Sequence, residues 1–225
     1  LNPTASELYA GCIPVYLEQR SYREFMGKTI SGKYDFVGDG QVEDFKNTTT
    51  FTWINNTKSD DYILQGSIYR WLNPTVITKD TMAIQFIFGD WQAQRAKSDP
   101  NYPPNRTVQK LYTLMSLQDT EQYIRSKLLL LERYINAEEK DIPACTDTEL
   151  WRSAPVWKYY KNPANTGRST KNFENKQDAF IRMSEDKNVG KVIEHPGQVV
   201  ACKYCPAFSV CSQKDDLIAS GDLIL

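Results

Sequence analysis

Asp35, Asp44 and Lys46 are the residues whose types and spacing could do chemistry, because a tight turn between them dictates how they face one another. The segment from Thr29 to Thr50 reads as a β-hairpin, with Thr29–Val37 and Gln41–Lys46 joined through Gly38-Asp39-Gly40. An Asp-Gly pair favours a two-residue type I′ loop. That loop sets Gly38 across from Gln41, Val37 from Val42, Phe36 from Glu43, and therefore Asp35 from Asp44. Directly opposed side chains on a hairpin have Cβ atoms about 5 Å apart, where like charges repel. A hard divalent cation, Mg2+ or Mn2+, relieves that repulsion by taking oxygen ligands from both carboxylates. Lys46 lies two residues past Asp44 and so projects from the same face of its strand. Its ammonium there would orient an attacking water or hold the charge developing on phosphorus. Metal-assisted phosphodiester hydrolysis is the expected reaction. The other face carries Tyr34, Phe36 and Phe45, expected to enter the core, and also Glu43, which nothing in the sequence explains.

A second signal follows in the helix expected over Asp60–Leu72, which Asn73-Pro74 stops. Gln65 and Tyr69 are four residues apart and share one face of it. A Gln amide can contact a catalytic group or a phosphate, and a Tyr hydroxyl can donate to a backbone phosphate. A third signal is C-terminal: Cys202, Cys205 and Cys211 give C-x2-C-x5-C, a spacing that lets thiolates converge on one metal centre. The fourth ligand is Cys145 or Cys12, and spacing alone does not separate zinc from iron and sulfur.

Gly32-x-x-Asp35, Asp44-Phe45-Lys46-Asn47-Thr48 and Gln65-x-x-x-Tyr69, in that order, resemble the PD-(D/E)XK nuclease superfamily. The likeness is to its RecB-type exonuclease branch, which includes CRISPR-associated DNA exonucleases and related phage proteins. The resemblance implies an α/β fold, a restriction-endonuclease-like core with a central mixed sheet flanked by helices, followed by a C-terminal cysteine-ligated metal segment. It implies Mg2+ or Mn2+ held by Asp35 and Asp44, Lys46 as the catalytic lysine, Gln65 and Tyr69 as the accessory motif, and DNA as the partner. Members of the branch also carry a His or Glu on a helix ahead of the first Asp. No histidine precedes Asp35 here, so the third metal ligand is expected either ahead of Leu1 or as a glutamate, Glu18 being taken first and Glu7 as the other choice. The branch often holds a [4Fe–4S] cluster on one distant Cys plus a C-terminal triplet. An N-terminal distant Cys, as in the CRISPR-associated members, favours Cys12. The phage-like stretch Pro143–Trp151 and its place after the core favour Cys145, taken here with Cys202, Cys205 and Cys211, and zinc is the rival metal. The function expected is a nuclease acting on DNA ends. The competing class is a DNA-binding or assembly module that keeps the fold and the cysteine site without turnover.

Other elements must position these residues. A short helix is expected over Ala5–Cys12, an extended piece over Val15–Glu18, a strand over Met82–Phe88, a proline-rich loop over Lys97–Asn105, and a helix capped by Asp119 or Thr120 with Ile124, Leu128, Leu131 and Tyr134 on its buried stripe. The character changes after Asp141, which divides a core at 1–140 from a segment at 141–225. Residues 151–176 interleave Arg152, Lys158, Lys161, Arg168, Lys171 and Lys176 with Trp151, Trp157, Tyr159, Tyr160 and Phe173, a pattern that suits a phosphate backbone and stacked bases as well as it suits a solvated surface over core aromatics. A structural cluster would pin the C-terminal segment onto residues 145–176. His195, before Pro196-Gly197, is expected to cap a turn.

With 225 residues, 40% of them hydrophobic, the chain can bury a sizeable core. No apolar run is long enough to span a bilayer. A net charge of −1 argues against broad coating of nucleic acid and leaves room for a narrow charged cleft. The five cysteines are an odd number with three crowded together, and no basic-then-apolar leader is visible, which points to a reducing, cytoplasmic setting. The sequons at Asn47 and Asn55 are then expected to be silent.

Overall fold

The computed structural model describes residues 12–225. The helix expected over Ala5–Cys12 and the candidate ligand Glu7 thus lie outside the described residues, apart from Cys12 itself. The fold is mixed α/β, with a central mixed sheet flanked by helices. It divides into two compact units, one ending at Glu132 and the other covering Arg133–Leu225.

The first unit holds the five-stranded sheet, in the order β1 (Val15–Leu17), β4 (Phe36–Gly38), β5 (Gln41–Thr48), β6 (Thr81–Phe88) and β7 (Thr107–Thr113). Only β5 and β6 run parallel, and the crossover between them carries α1 (Thr50–Asn55) and α2 (Ser59–Leu72). A parallel pair requires such a crossover. Strands β2 (Arg20–Phe25) and β3 (Lys28–Lys33) form a separate antiparallel ribbon.

That ribbon changes the expected hairpin. The arm read as one strand from Thr29 to Val37 is two, broken at Tyr34-Asp35. Met26-Gly27, with φ of 51° and 69°, makes a second turn of the type with both central residues at positive φ. Pairing through it commits β3 to β2 rather than to β5. The two ladders keep one register, Leu17 opposite Phe36 and Arg20 opposite Lys33. Glu18 N donates to Asp35 O (2.8 Å) and Tyr34 N to Gln19 O (3.2 Å) across the break. Glu18 itself takes a left-handed φ of 52°, so the long ribbon bends where it passes the sheet.

Residues with side chains toward α1 and α2 build the core: Val37 and Val42, then Met82, Ile84, Phe86 and Phe88 along β6, with Tyr62 of α2 and Tyr34 closing it. Gly66 lets α2 lie close on the sheet, since a Cβ there would come within 2.4 Å of Met82 Sδ. The opposite sheet face leaves Val15, Leu17, Ile87 and Leu111 exposed. Phe45 belongs to that face and is 53% exposed, contrary to its expected core position, because strand alternation puts it opposite to buried Asp44. Glu43 shares the outer face, where Gln85 Nε2 donates to its carboxylate at 2.8 Å.

α3 (Ala93–Ser98) occupies the start of the stretch read as a loop from Lys97. α4 (Leu117–Tyr134) packs Ile124 and Leu128 on Trp71, Leu72 and the β2–β3 ribbon. Its start is set earlier than expected, by Ser116, whose Oγ accepts from Asp119 N (3.0 Å) and donates to the Asp119 carboxylate (2.6 Å). Leu131, assigned to the buried stripe, is 51% exposed.

The second unit has a three-stranded antiparallel sheet in the order β10 (Lys191–His195), β8 (Val156–Tyr160), β9 (Lys171–Phe173), with α5 (Lys176–Glu185) against it and α6 (Ser212–Ala219) near the C-terminus. Leu150, Val199, Cys202, Leu217 and Leu223 form its apolar cluster. Among the described residues, no helix is long and apolar enough to cross a membrane.

Candidate active site

Asp39 and Gly40 take φ of 50° and 73°, as a type I′ turn requires, and the ladder pairs Phe36 with Glu43, Val37 with Val42 and Gly38 with Gln41. Lys79 holds Asp39 at 2.7 Å, and Gly40 O accepts from Thr78 N and Lys79 N, both at 3.0 Å, which ties the turn to the start of β6. Asp35 stands one step beyond the last pair, across from Asp44. There β5 has lost its β4 partner, and the Asp35 carboxylate takes over by accepting from Phe45 N at 3.2 Å. Asp35 is thereby oriented by the backbone it faces.

Asp44 is 3% exposed. Its Oδ1 accepts from Gln65 Nε2 at 3.1 Å, and its Oδ2 lies 2.5 Å from Lys46 Nζ. Apart from the Lys46 ammonium, no donor reaches this buried Oδ2 among the described residues. Burial pushes the Asp44 carboxyl above the ordinary aspartate range, the nearby Asp35 charge adds to this, and Lys46 and Gln65 pull it back. An acceptor oxygen withheld from solvent and short of donors is costly unless a cation or proton meets it.

Gln65 links the rest. Its Oε1 accepts from Lys46 Nζ at 3.2 Å, and its Nε2 is also 2.8 Å from Tyr69 Oη. The amide therefore fixes the ammonium, the carboxylate and the phenol together. Gly32 of β3 is needed for this packing, because a Cβ would sit 3.1 Å from the Tyr69 ring and 2.9 Å from Leu72 Cδ1. Asp35, Asp44, Lys46, Gln65 and Tyr69 are thus brought into one site within the first unit. Sequence reasoning missed Tyr62, whose ring lies 5.7 Å from Lys46 Nζ. The signal was present, since Tyr62, Gln65 and Tyr69 follow a helical spacing on one face.

Glu18 sits opposite Asp35 through the backbone, but its carboxylate pairs with Lys33 and its side chain is 66% exposed. Among the described residues, no group of three or more His, Cys, Asp or Glu side chains converges as a metal site.

Cys145, Cys202, Cys205 and Cys211 all belong to the second unit and are all free thiols, while Cys12 belongs to the first. Burial pushes the Cys202 thiol up, with further repulsion from Cys211 and Cys205. Cys145 is raised by burial first, then by Glu149 and by the other three sulfurs. Cys145 and Cys202 thus lie near enough to the other sulfurs to be raised by them, yet among the described residues the four sulfurs do not converge as a metal site. Gln213 clasps Cys145 by accepting from its N (2.8 Å) and donating to its O (2.9 Å), and Glu139 accepts from Ser212 N (2.9 Å) and Oγ (2.7 Å). These bonds strap residues 139–145 to the helix that starts after Cys211.

The basic, aromatic strip divides. Tyr159 and Tyr160 are buried, and Arg152 is engaged by Asp147 (2.7 Å), Asp222 (3.0 Å) and Gly197 O (3.0 Å). Trp151 remains 58% exposed, and Lys161, Arg168, Lys171 and Lys176 lie on the surface. His195 ends β10 rather than capping a turn, with Nε2 3.2 Å from Tyr160 Oη, and burial lowers its pKa, with Lys158 adding.

No protein-family model and no curated protein matches the chain. Among solved structures it is similar to the crystal structure of SSO0001, with 17% sequence identity and a TM-score of 0.36. The match covers 57% of this chain and 56% of that one, so the chain spans little more than half the length of that structure, and the likeness is too slight to define a fold.

Proposed function

We propose that the chain is a divalent-cation-dependent nuclease that hydrolyses phosphodiester bonds of DNA, working from ends as an exonuclease. The observation that carries this reading is the buried Asp44 carboxylate, its Oδ2 met by Lys46 at 2.5 Å and by no other donor, across from a second aspartate. An oxygen in that condition, with Asp35 opposite, fits Mg2+ or Mn2+, which prefer carboxylate ligands. Bound there, such an ion supplies Lewis acidity at a phosphoryl oxygen and acidifies the attacking water.

The chain's own groups supply the rest. Lys46, held by Gln65 at 3.2 Å, presents a fixed positive charge to the phosphate as it gains negative charge in the transition state. Gln65 orients Asp44 and favours its ionised form by donating to Oδ1. Tyr69 is positioned through the same amide to donate to a neighbouring phosphate. Cleavage of an end-labelled linear DNA in Mn2+ or Mg2+, abolished by chelation, tests this function. Tight DNA binding with no cleavage in any divalent ion would instead support a binding or assembly module. The specific observation favouring that second reading is that Glu18 is turned to Lys33 and away from Asp35 and Asp44.

The four cysteines of the second unit are proposed to hold a [4Fe–4S] cluster with a structural role, Cys145 being the fourth ligand. Support comes from the C-x2-C-x5-C spacing and from the Gln213 clasp that ties Cys145 to the helix after Cys211; the four sulfurs do not converge as a metal site in this structure, so the cluster would have to draw them together. Protein purified without oxygen is expected to contain iron and acid-labile sulfide, both lost on Cys145→Ser and retained in Cys12→Ser. Zinc in their place would overturn the iron assignment, and metal that depends on Cys12 would overturn the ligand assignment.

A further inference from the structure

Gln65 and Tyr69 have a second neighbour besides the carboxylates. Together with Leu64 and Ile68 they form one wall of a groove of about 380 Å3 between α2 and β3, and Ser31 and Lys33 form the other wall. The groove and the candidate active site thus share two side chains and adjoin one another. Its chemistry is divided in a way that suits one nucleotide. Leu64, Ile68 and the Tyr69 ring offer apolar and aromatic surface for a base, and Lys33 with the Ser31 hydroxyl offers a cation and a donor for a phosphate. Asp61, the acid of this lining, is already matched by Lys58 at 3.1 Å.

We propose that this groove binds the nucleotide next to the scissile phosphate, its base against Leu64, Ile68 and Tyr69 and its phosphate on Lys33. The inference rests on the nuclease reading and adds to it where the strand lies. Glu18 then has a defined part. It pairs with Lys33 on the protein surface and occupies the cation that the phosphate needs. An exposed pair of this kind is weak, so an incoming phosphate displaces it.

The test measures binding of a short fluorescein-labelled single-stranded DNA to the full chain in calcium, alongside cleavage of the same strand in manganese. Leu64→Ala is expected to weaken binding about tenfold, the scale of losing one base contact, and Lys33→Ala to weaken it and reduce its salt dependence, as loss of a phosphate contact does. Glu18→Gln is expected to tighten it, because Lys33 is released. Lys33 and Glu18 are exposed and Leu64 lies outside the buried core clusters, so the variants fold. Unchanged binding in Leu64→Ala and Lys33→Ala overturns the groove, and weaker binding in Glu18→Gln returns Glu18 to the cation and overturns its part. Parent protein that binds with these shifts but does not cut would sink the catalytic reading and leave the groove. Parent protein that cuts while the variants bind normally would do the reverse, and a parent that binds no DNA overturns both.

Discussion

Replacing Lys46 by Met is expected to lower the rate of DNA cleavage about 10²- to 10³-fold, the scale on which one fixed charge or donor at a developing anion acts. Methionine keeps the length of the stem and removes the ammonium, which lies 5.7 Å from the Tyr62 ring. The loss should fall on kcat, because Lys46 faces the phosphate as charge develops, and KM should change little. Melting in chelator is expected to be lower than for the parent, since Asp44 then keeps its buried charge with no counter-ion at 2.5 Å. Cleavage that persists in Lys46→Met would place the active site elsewhere.

Manganese is expected to raise the melting temperature of the parent by about 5–10 °C when present about a hundredfold above its dissociation constant, corresponding to about 2.7 kcal/mol of linkage. Asp44→Asn should abolish the shift. The pH dependence follows from the direction in which the fold moves Asp44. Its carboxyl is raised above the ordinary value of 3.8. Its contribution to stability is therefore complete below the unfolded pKa and is lost as pH rises through the folded one, so ionised Asp44 costs stability at neutral pH. Proton and cation compete for the same oxygen. Manganese stabilisation should accordingly fade on acidification, beginning above the range in which an ordinary aspartate titrates. A shift that is unaffected by Asp44→Asn would mean that the ion binds at another place.

The part of the site that could be read from residue order is the part built by local rules. Asp39-Gly40 dictated a two-residue turn, and the turn dictated the register that sets Asp35 one step past the Phe36–Glu43 pair. The Gln65–Tyr69 pairing followed from helical spacing in the same way. What was not legible depended on partners distant in sequence. Phe45 was expected inward, and it faces outward because β5 buries Val42 and Asp44 under α2, a choice made by the crossover and not by the strand. Glu43 gained its account only when β6 placed Gln85 beside it. The long arm from Thr29 was divided because Met26-Gly27, which lacks an Asn or Asp signal, nevertheless turns the chain and gives β3 a different partner. Glu18 was assigned to the cation by nearness in sequence, whereas the bend at its left-handed backbone directs its side chain to Lys33. Cys145 and Cys12 were equivalent by spacing, and the Gln213 clasp that ties the Cys145 backbone to the helix after Cys211 joins residues distant in sequence.

Diffraction from a crystal soaked in manganese, recorded at a wavelength where the metal scatters anomalously, examines the core of this account directly. A single peak between the Asp35 and Asp44 carboxylates, within coordination distance of Asp44 Oδ2 and lost in Asp44→Asn, is the expected result. A saturated soak that leaves the space between these two residues without a peak, or a peak held by other side chains, would contradict it.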